Sequence, residues 1–129
     1  MVIDSSALLA ILQGEPEADA FVQRMADATA IFVGAPTLFE TSMITLSRRG
    51  DIGLAELNAL FTDAHVTTVP LNERHAALAL EAFRRFGKGR HRAGLNYGDC
   101  MSYALAQATG LPLLFKGDDF VHTDVRSAV

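Results

Sequence analysis

The strongest constraint on this chain is an alternation: short apolar runs of strand character, each followed by stretches of helical period. Residues 1–5, Met1-Val2-Ile3-Asp4-Ser5, read as a first strand, and Ser6 to about Gln13 as a helix stopped by Gly14. Pro16 suits the first position of a second helix, which carries Ala18, Phe21, Val22 and Met25 on one face. Ile31-Phe32-Val33 is a second strand ended by Gly34. Pro36 and Thr37 open a third helix that runs to about Arg49 and stops at Gly50, and Leu54 to Ala64 forms another. Val66 to Leu71 reads as a third strand. Asn72 then caps a helix over Glu73 to Phe86, with Ala76, Ala79, Leu80 and Phe83 as its apolar stripe. Gly87 to Gly98 is the long irregular stretch. Asp99 to Thr109 is a helix closed by Gly110 and Pro112, Leu113-Leu114-Phe115 is a fourth strand, and a last strand is expected near Val125.

Apolar strands separated by helices bury both faces of a parallel sheet. The expected class is therefore α/β, with a mainly parallel central sheet of four to five strands between helical layers. The pattern leaves the strand order open. A length of 129 residues fits one domain over 1–129 with a substantial core. The longest strictly apolar run, Ala7 to Leu12, is far short of a membrane span, and no basic segment precedes an apolar one, so neither a membrane anchor nor a signal peptide is expected. Cys100 is the only cysteine, which excludes an internal disulfide and a cysteine-based zinc site and points to a reducing, cytoplasmic setting.

Acidic residues recur at the junctions of these elements. Asp4 follows the first strand, Glu40 lies early in the third helix, Asp99 opens a later helix, and Asp118 and Asp119 follow the fourth strand. In an open α/β sheet, ligands gather outside the carboxyl ends of the strands. Each acid also has a local alternative. Asp4, Ser5 or Ser6 fits an N-cap, Thr37-Leu38-Phe39-Glu40 matches a capping box, Asp99 fits a helix first turn, and Asp118–Asp119 suits a turn after Gly117. Glu40 shares its face with Pro36, Thr37, Met43, Ile44 and Ser47, where a carboxylate is costly unless paired or cation-bound. Converging carboxylates repel, and Mg²⁺ or Mn²⁺ relieves this with oxygen ligands alone. Such a metal activates water and stabilises charge on a phosphoryl oxygen, the chemistry of phosphodiester hydrolysis.

Other chemistries lack their signatures. His65, His75, His91 and His122 contain no i, i+4 pair and no H-E-x-x-H, and G-x-S-x-G, the P-loop and G-x-G-x-x-G are absent. The formal charge is −4, yet Arg84, Arg85, Lys88, Arg90 and Arg92 crowd into nine positions. Beside a metal site, such a stretch would bind a nucleic-acid backbone in a salt-dependent way; the alternatives are a solvated loop or a protein contact.

Taken together, Met1-Val2-Ile3-Asp4-Ser5-Ser6-Ala7-Leu8, Glu40 within Pro36-Thr37-Leu38-Phe39-Glu40-Thr41-Ser42, Asn96-Tyr97-Gly98-Asp99-Cys100 with Tyr103-Ala104-Leu105-Ala106, and Leu113-Leu114-Phe115-Lys116-Gly117-Asp118-Asp119-Phe120 resemble the PIN-domain ribonucleases, in particular the VapC-type toxins of bacterial toxin–antitoxin pairs. The resemblance spans essentially the whole chain. It implies a PIN-like three-layer α/β/α sandwich, a homodimer, Mg²⁺ or Mn²⁺, endonucleolytic RNA cleavage and a small VapB-type antitoxin. By the same resemblance Asp4, Glu40 and Asp99 match the family's acids, with Asp4, Asp99 and Asp118 as metal ligands. Asp118 is preferred over Asp119 as the fourth acid, and Ser6 matches a hydroxyl residue beside the site. Here Phe115 and Gly117 stand where the family often has a Thr-x-Asp-like segment. Two other classes fit parts of the pattern: a phospho-signalling receiver domain using Lys116, although paired acids after the first strand are missing, and a PIN-fold binding module without catalysis.

Overall fold

The computed structural model describes residues 1–129. The elements run β1 (Val2–Ile3), α1 (Ser5–Leu12), α2 (Ala18–Asp27), β2 (Ile31–Gly34), α3 (Ala35–Asp63), β3 (Val66–Val69), α4 (Glu73–Phe86), α5 (Tyr97–Thr109) and β4 (Leu113–Leu114), followed by a 3₁₀ turn over Phe120–His122. The four strands are all parallel and ordered β3-β2-β1-β4. No helix is long and apolar enough to cross a membrane.

The alternation of side chains along the strands builds the layers. Val2 and Leu113 point into one core with Phe86, Leu95, Tyr103, Leu105, Phe115 and Phe120, beneath α4 and α5. Their neighbours Ile3 and Leu114 point into the opposite core with Leu8, Phe21, Met25, Ile31 and Val33, beneath α1, α2 and α3. Strands buried on both faces need no polar alternation, which is why β1 and β4 read as plain apolar runs. The result is the expected α/β/α sandwich. β3 lies at the edge, and its Thr67 and Thr68 are exposed.

Several boundaries differ from the sequence reading: β1 ends at Ile3 with Ser5 already in α1, α2 starts at Ala18 beyond Pro16, β3 ends at Val69 and β4 at Leu114, and three further differences are larger. The third helix does not stop at Gly50. It kinks there, at φ 63°, and continues to Asp63. Only glycine adopts that left-handed conformation without penalty. Arg49 braces the kink, reaching Glu56 beyond it and the Leu12 carbonyl of α1. The helix expected from Asp99 begins earlier, at Tyr97, capped by Asn96. No fifth strand forms at Val125. The tail makes one isolated parallel bridge, Leu113 to Ser127, because Leu113 bonds to the Arg126 carbonyl and the Ala128 amide without extending the ladder.

The strand order positions the site. β1 is central, the chain moves to β2 on one side, and β4 returns on the other. The carboxyl ends of β1 and β4 therefore flank a topological switch point, where α/β sheets open a crevice.

Candidate active site

Asp4 stands at that switch point, directly after β1. It is the N-cap of α1: its Oδ2 accepts the Ser6 amide at 3.0 Å and the Ser6 hydroxyl at 2.6 Å. Capping leaves Oδ1 free for another partner, and it accepts the Ser102 hydroxyl of α5 at 2.5 Å. Ser102 has a single hydroxyl proton, spent on Asp4, so Thr37 is the donor in the 3.2 Å contact between the Thr37 and Ser102 hydroxyls. Ser6 Oγ in turn accepts the Lys116 amide at 3.0 Å. A continuous line of hydrogen bonds thus joins α3, α5, β1, α1 and the segment after β4. Asp4 and Thr37 are each 2 % exposed and Ser102 is 1 % exposed. A carboxylate so deeply placed needs such partners. Sequence inspection singled out Asp4 and Ser6 but not Thr37 or Ser102.

Glu40 does not form the capping box its sequence permits. α3 is capped at Gly34 without a side-chain bond, and the Thr37 hydroxyl is committed to Ser102. The Glu40 carboxylate lies instead against Gly98, in the first turn of α5.

Asp99 does form a capping box. Its Oδ2 accepts the Asn96 amide at 3.0 Å, and its own amide donates to Asn96 Oδ1 at 2.9 Å. This coexists with a strong electrostatic perturbation. Burial first, and then the negative charges of Asp4, Asp119 and Glu40, push the Asp99 carboxyl up to about 6 against the pull of the Asn96 amide. None of these four acids is in a salt bridge. Lys116, the nearest candidate in sequence, is turned toward α2 and holds Glu15 and Glu17 instead.

Both acids after β4 are exposed, and the charge of Asp119 is among those that raise Asp99. The corner therefore gathers Asp4, Glu40, Asp99 and Asp119. The charges of the other three act on Asp99, but no three of the acids have closed into a coordination shell. The donor set is oxygen only, negative and unneutralised, which fits a hard divalent cation.

The family profile described as PIN domain matches residues 1–126. The chain belongs to the PIN-domain family. Ribonuclease VapC of Mycolicibacterium smegmatis is 49 % identical over 125 residues, spanning 97 % of each chain. Ribonuclease VapC30 of Mycobacterium tuberculosis is 46 % identical over 125 residues, spanning 97 % of this chain and 95 % of that one. Among solved structures, the fold is similar to that of VapC20 of Mycobacterium tuberculosis, a sarcin–ricin-loop-cleaving toxin, with a TM-score of 0.77 at 16 % identity over 96 % of this chain and 95 % of that one. It is also similar to a toxin–antitoxin complex from Klebsiella pneumoniae, with a TM-score of 0.70 at 15 % identity over 95 % and 92 % of the two chains. The resemblance read from the motifs is thereby established, and the receiver-domain alternative gives way to it.

In this PIN-domain chain the basic stretch lies at the acidic end of the molecule. α4 and α5 are antiparallel: Arg74 near the start of α4 reaches the Ala108 carbonyl late in α5, whereas Arg85 near its end reaches Tyr103. The loop over 87–96 then leads directly into Asn96 and Asp99. The five basic residues are not equivalent. Arg85 bonds Asp124 at 3.2 Å and stacks over Phe86, Arg84 pairs with Glu81 at 3.4 Å, and Arg90 donates to the Arg84 carbonyl at 3.4 Å. The side chains of Lys88 and Arg92 are exposed and make no hydrogen bond or ion pair.

Proposed function

We propose that this chain is a Mg²⁺- or Mn²⁺-dependent endoribonuclease, acting as one nuclease domain and serving as the toxin of a type II toxin–antitoxin pair in the cytoplasm. The observation that carries this reading is the half-buried Asp99 carboxyl, raised by the charges of Asp4, Asp119 and Glu40, none of which is in a salt bridge. The naming of its relatives as VapC ribonucleases supports it.

Asp4 and Asp99 would hold the metal with one of the neighbours Asp118 and Asp119; the charge of Asp119 on Asp99 favours Asp119. When bound, a divalent ion supplies an activated water and stabilises charge on the scissile phosphate. Asp4 is fixed by three donors, which use three of the roughly four acceptor positions of a carboxylate and leave one on Oδ1. Ser102 and Ser6 hold that carboxylate in place, and Thr37 holds Ser102. Glu40 completes the acidic corner and orients solvent toward the phosphate. Lys88 and Arg92 offer free charge to the RNA backbone, with Arg84, Arg85 and Arg90 adding to the field.

Two exposed apolar surfaces support the proposed partners. Phe39, Met43 and Leu46 share one face of α3, with exposures of 65, 52 and 49 %, as a second copy of the chain would require. A groove of about 310 Å³ between α4 and α5, lined by Leu80, Phe83, Tyr97 and Met101 among others, suits an apolar antitoxin segment.

The test is cleavage of a structured RNA pool by purified chain. Cutting with Mg²⁺ or Mn²⁺ that stops with EDTA and with Asp99→Asn is the expected result. Cutting that survives both, or metal binding without cleavage of any RNA, overturns the reading, the second outcome in favour of a non-catalytic binding module.

A further inference from the structure

We propose that Gly98 is a positioning residue for Glu40: by presenting no side chain, it lets the Glu40 carboxylate lie against the first turn of α5, beside Asp99. This inference rests on the reading of the acidic corner as a metal-dependent nuclease site.

Gly98 is the second residue of α5, and its φ lies outside the left-handed region where a glycine is needed. The backbone there accepts any residue, and glycine is among the poorest helix formers. Local conformation therefore gives no reason for it. Its surroundings do. A Cβ added at Gly98 would collide with Glu40 Oε2 and stand 2.9 Å from both Cδ and Oε1. All three of the nearest atoms belong to one carboxylate.

The contrast with Gly87 shows the difference in kind. A Cβ added there would strike the Phe83 backbone carbonyl and ring, so Gly87 is required by packing. The obstacle at Gly98 is the far end of a flexible side chain, which rotates away with little cost to the fold. An alanine at 98 thus moves Glu40 and leaves the helices in place. The two residues come from separate elements, α3 and α5, and the Glu40 charge acts on Asp99 in the same helical turn as Gly98. Displacing the carboxylate changes the field at the proposed metal position without deleting any acid.

The experiment compares wild type, Gly98→Ala, Glu40→Ala and the double variant, by Mn²⁺ titration calorimetry, thermal melting and RNA cleavage. Gly98→Ala is expected to melt at or above the wild-type temperature, because alanine favours the helix. Its Mn²⁺ affinity falls by roughly 10- to 100-fold, and kcat falls with KM for RNA unchanged. In the Glu40→Ala background the same substitution adds nothing, since the group it displaces is gone. Wild-type Mn²⁺ affinity and kcat in Gly98→Ala overturn the inference, as does an equal loss with Glu40 absent or a clearly lowered melting temperature. A wild type that neither binds Mn²⁺ nor cuts RNA overturns the site reading itself and takes this inference with it. An active wild type with an indifferent Gly98→Ala overturns this inference alone.

Discussion

Ser102 donates its hydroxyl to Asp4 Oδ1 at 2.5 Å across 98 positions of sequence, tying the last long helix to the first strand. Both groups are buried, so the bond has no water to replace it. Ser102→Ala strands a carboxylate oxygen and is expected to cost about 1–3 kcal/mol in denaturant unfolding. RNA cleavage should fall by roughly 10- to 100-fold, as when an outer partner of a metal ligand is removed. Thr37→Val acts one bond further out and should cost less in both measurements, with Thr37→Ser near wild type.

Asp99 makes the metal-free protein pH-sensitive in a defined direction. Its carboxyl is raised from 3.8 to about 6, chiefly by burial, so folding favours the protonated form. Between those values the native state binds more protons than the unfolded chain, and stability present at low pH is lost as pH rises through about 6. Asp99→Asn removes the charge and keeps an oxygen for the Asn96 amide. Melting curves with EDTA should show the variant more stable at pH 7.5, by about 1 kcal/mol after allowing for solvent screening. The two proteins should converge near pH 4.

Saturating Mn²⁺ should reverse that order at pH 7.5. A ligand that binds only the native state stabilises it, and the wild type keeps the full acid set. Protons compete with the metal for Asp99. Mn²⁺ affinity, read by calorimetry, should climb by up to about tenfold per pH unit below 6 and flatten above it.

The basic stretch should divide by function. Lys88→Ala and Arg92→Ala remove unpaired charges and should weaken RNA binding, each lowering the slope of log K against log salt by about 1. Arg85→Ala should act mainly on stability. It leaves Asp124 with Tyr103 alone, at 2.6 Å, and removes the guanidinium stacked on Phe86. Filter binding at several salt concentrations, alongside melting, separates the two behaviours.

The layers, and the placing of acids at element junctions, were legible because their signals are local. Apolar runs, glycine stops and acids at junctions all act within a few residues. Thr37 and Ser102 carry no such signal: a hydroxyl on a helix has its meaning only once α3, α5 and β1 meet. Gly98 reads as a poor helix residue until Glu40 is placed beside it. The choice between Asp118 and Asp119 depends on how the chain leaves β4 and enters the turn ending in Phe120, which two neighbouring identical residues cannot reveal. The capping alternatives resolved differently for the same reason. At Asp4 and Asp99 capping and the acidic corner share one side chain, whereas at Glu40 the would-be cap, Thr37, is drawn away by a distant partner.

The central place of β1 has a consequence for synthesis. β1 is held on one side by β2 and on the other by β4, and the Asp4 amide bonds the Leu114 carbonyl at 2.9 Å. A nascent chain halted before residue 113 therefore leaves β1 with an open flank and lacks Asp119 altogether. Pairings this remote in sequence form slowly and late. The acidic corner therefore assembles only once β4 and the turn after it have docked against β1.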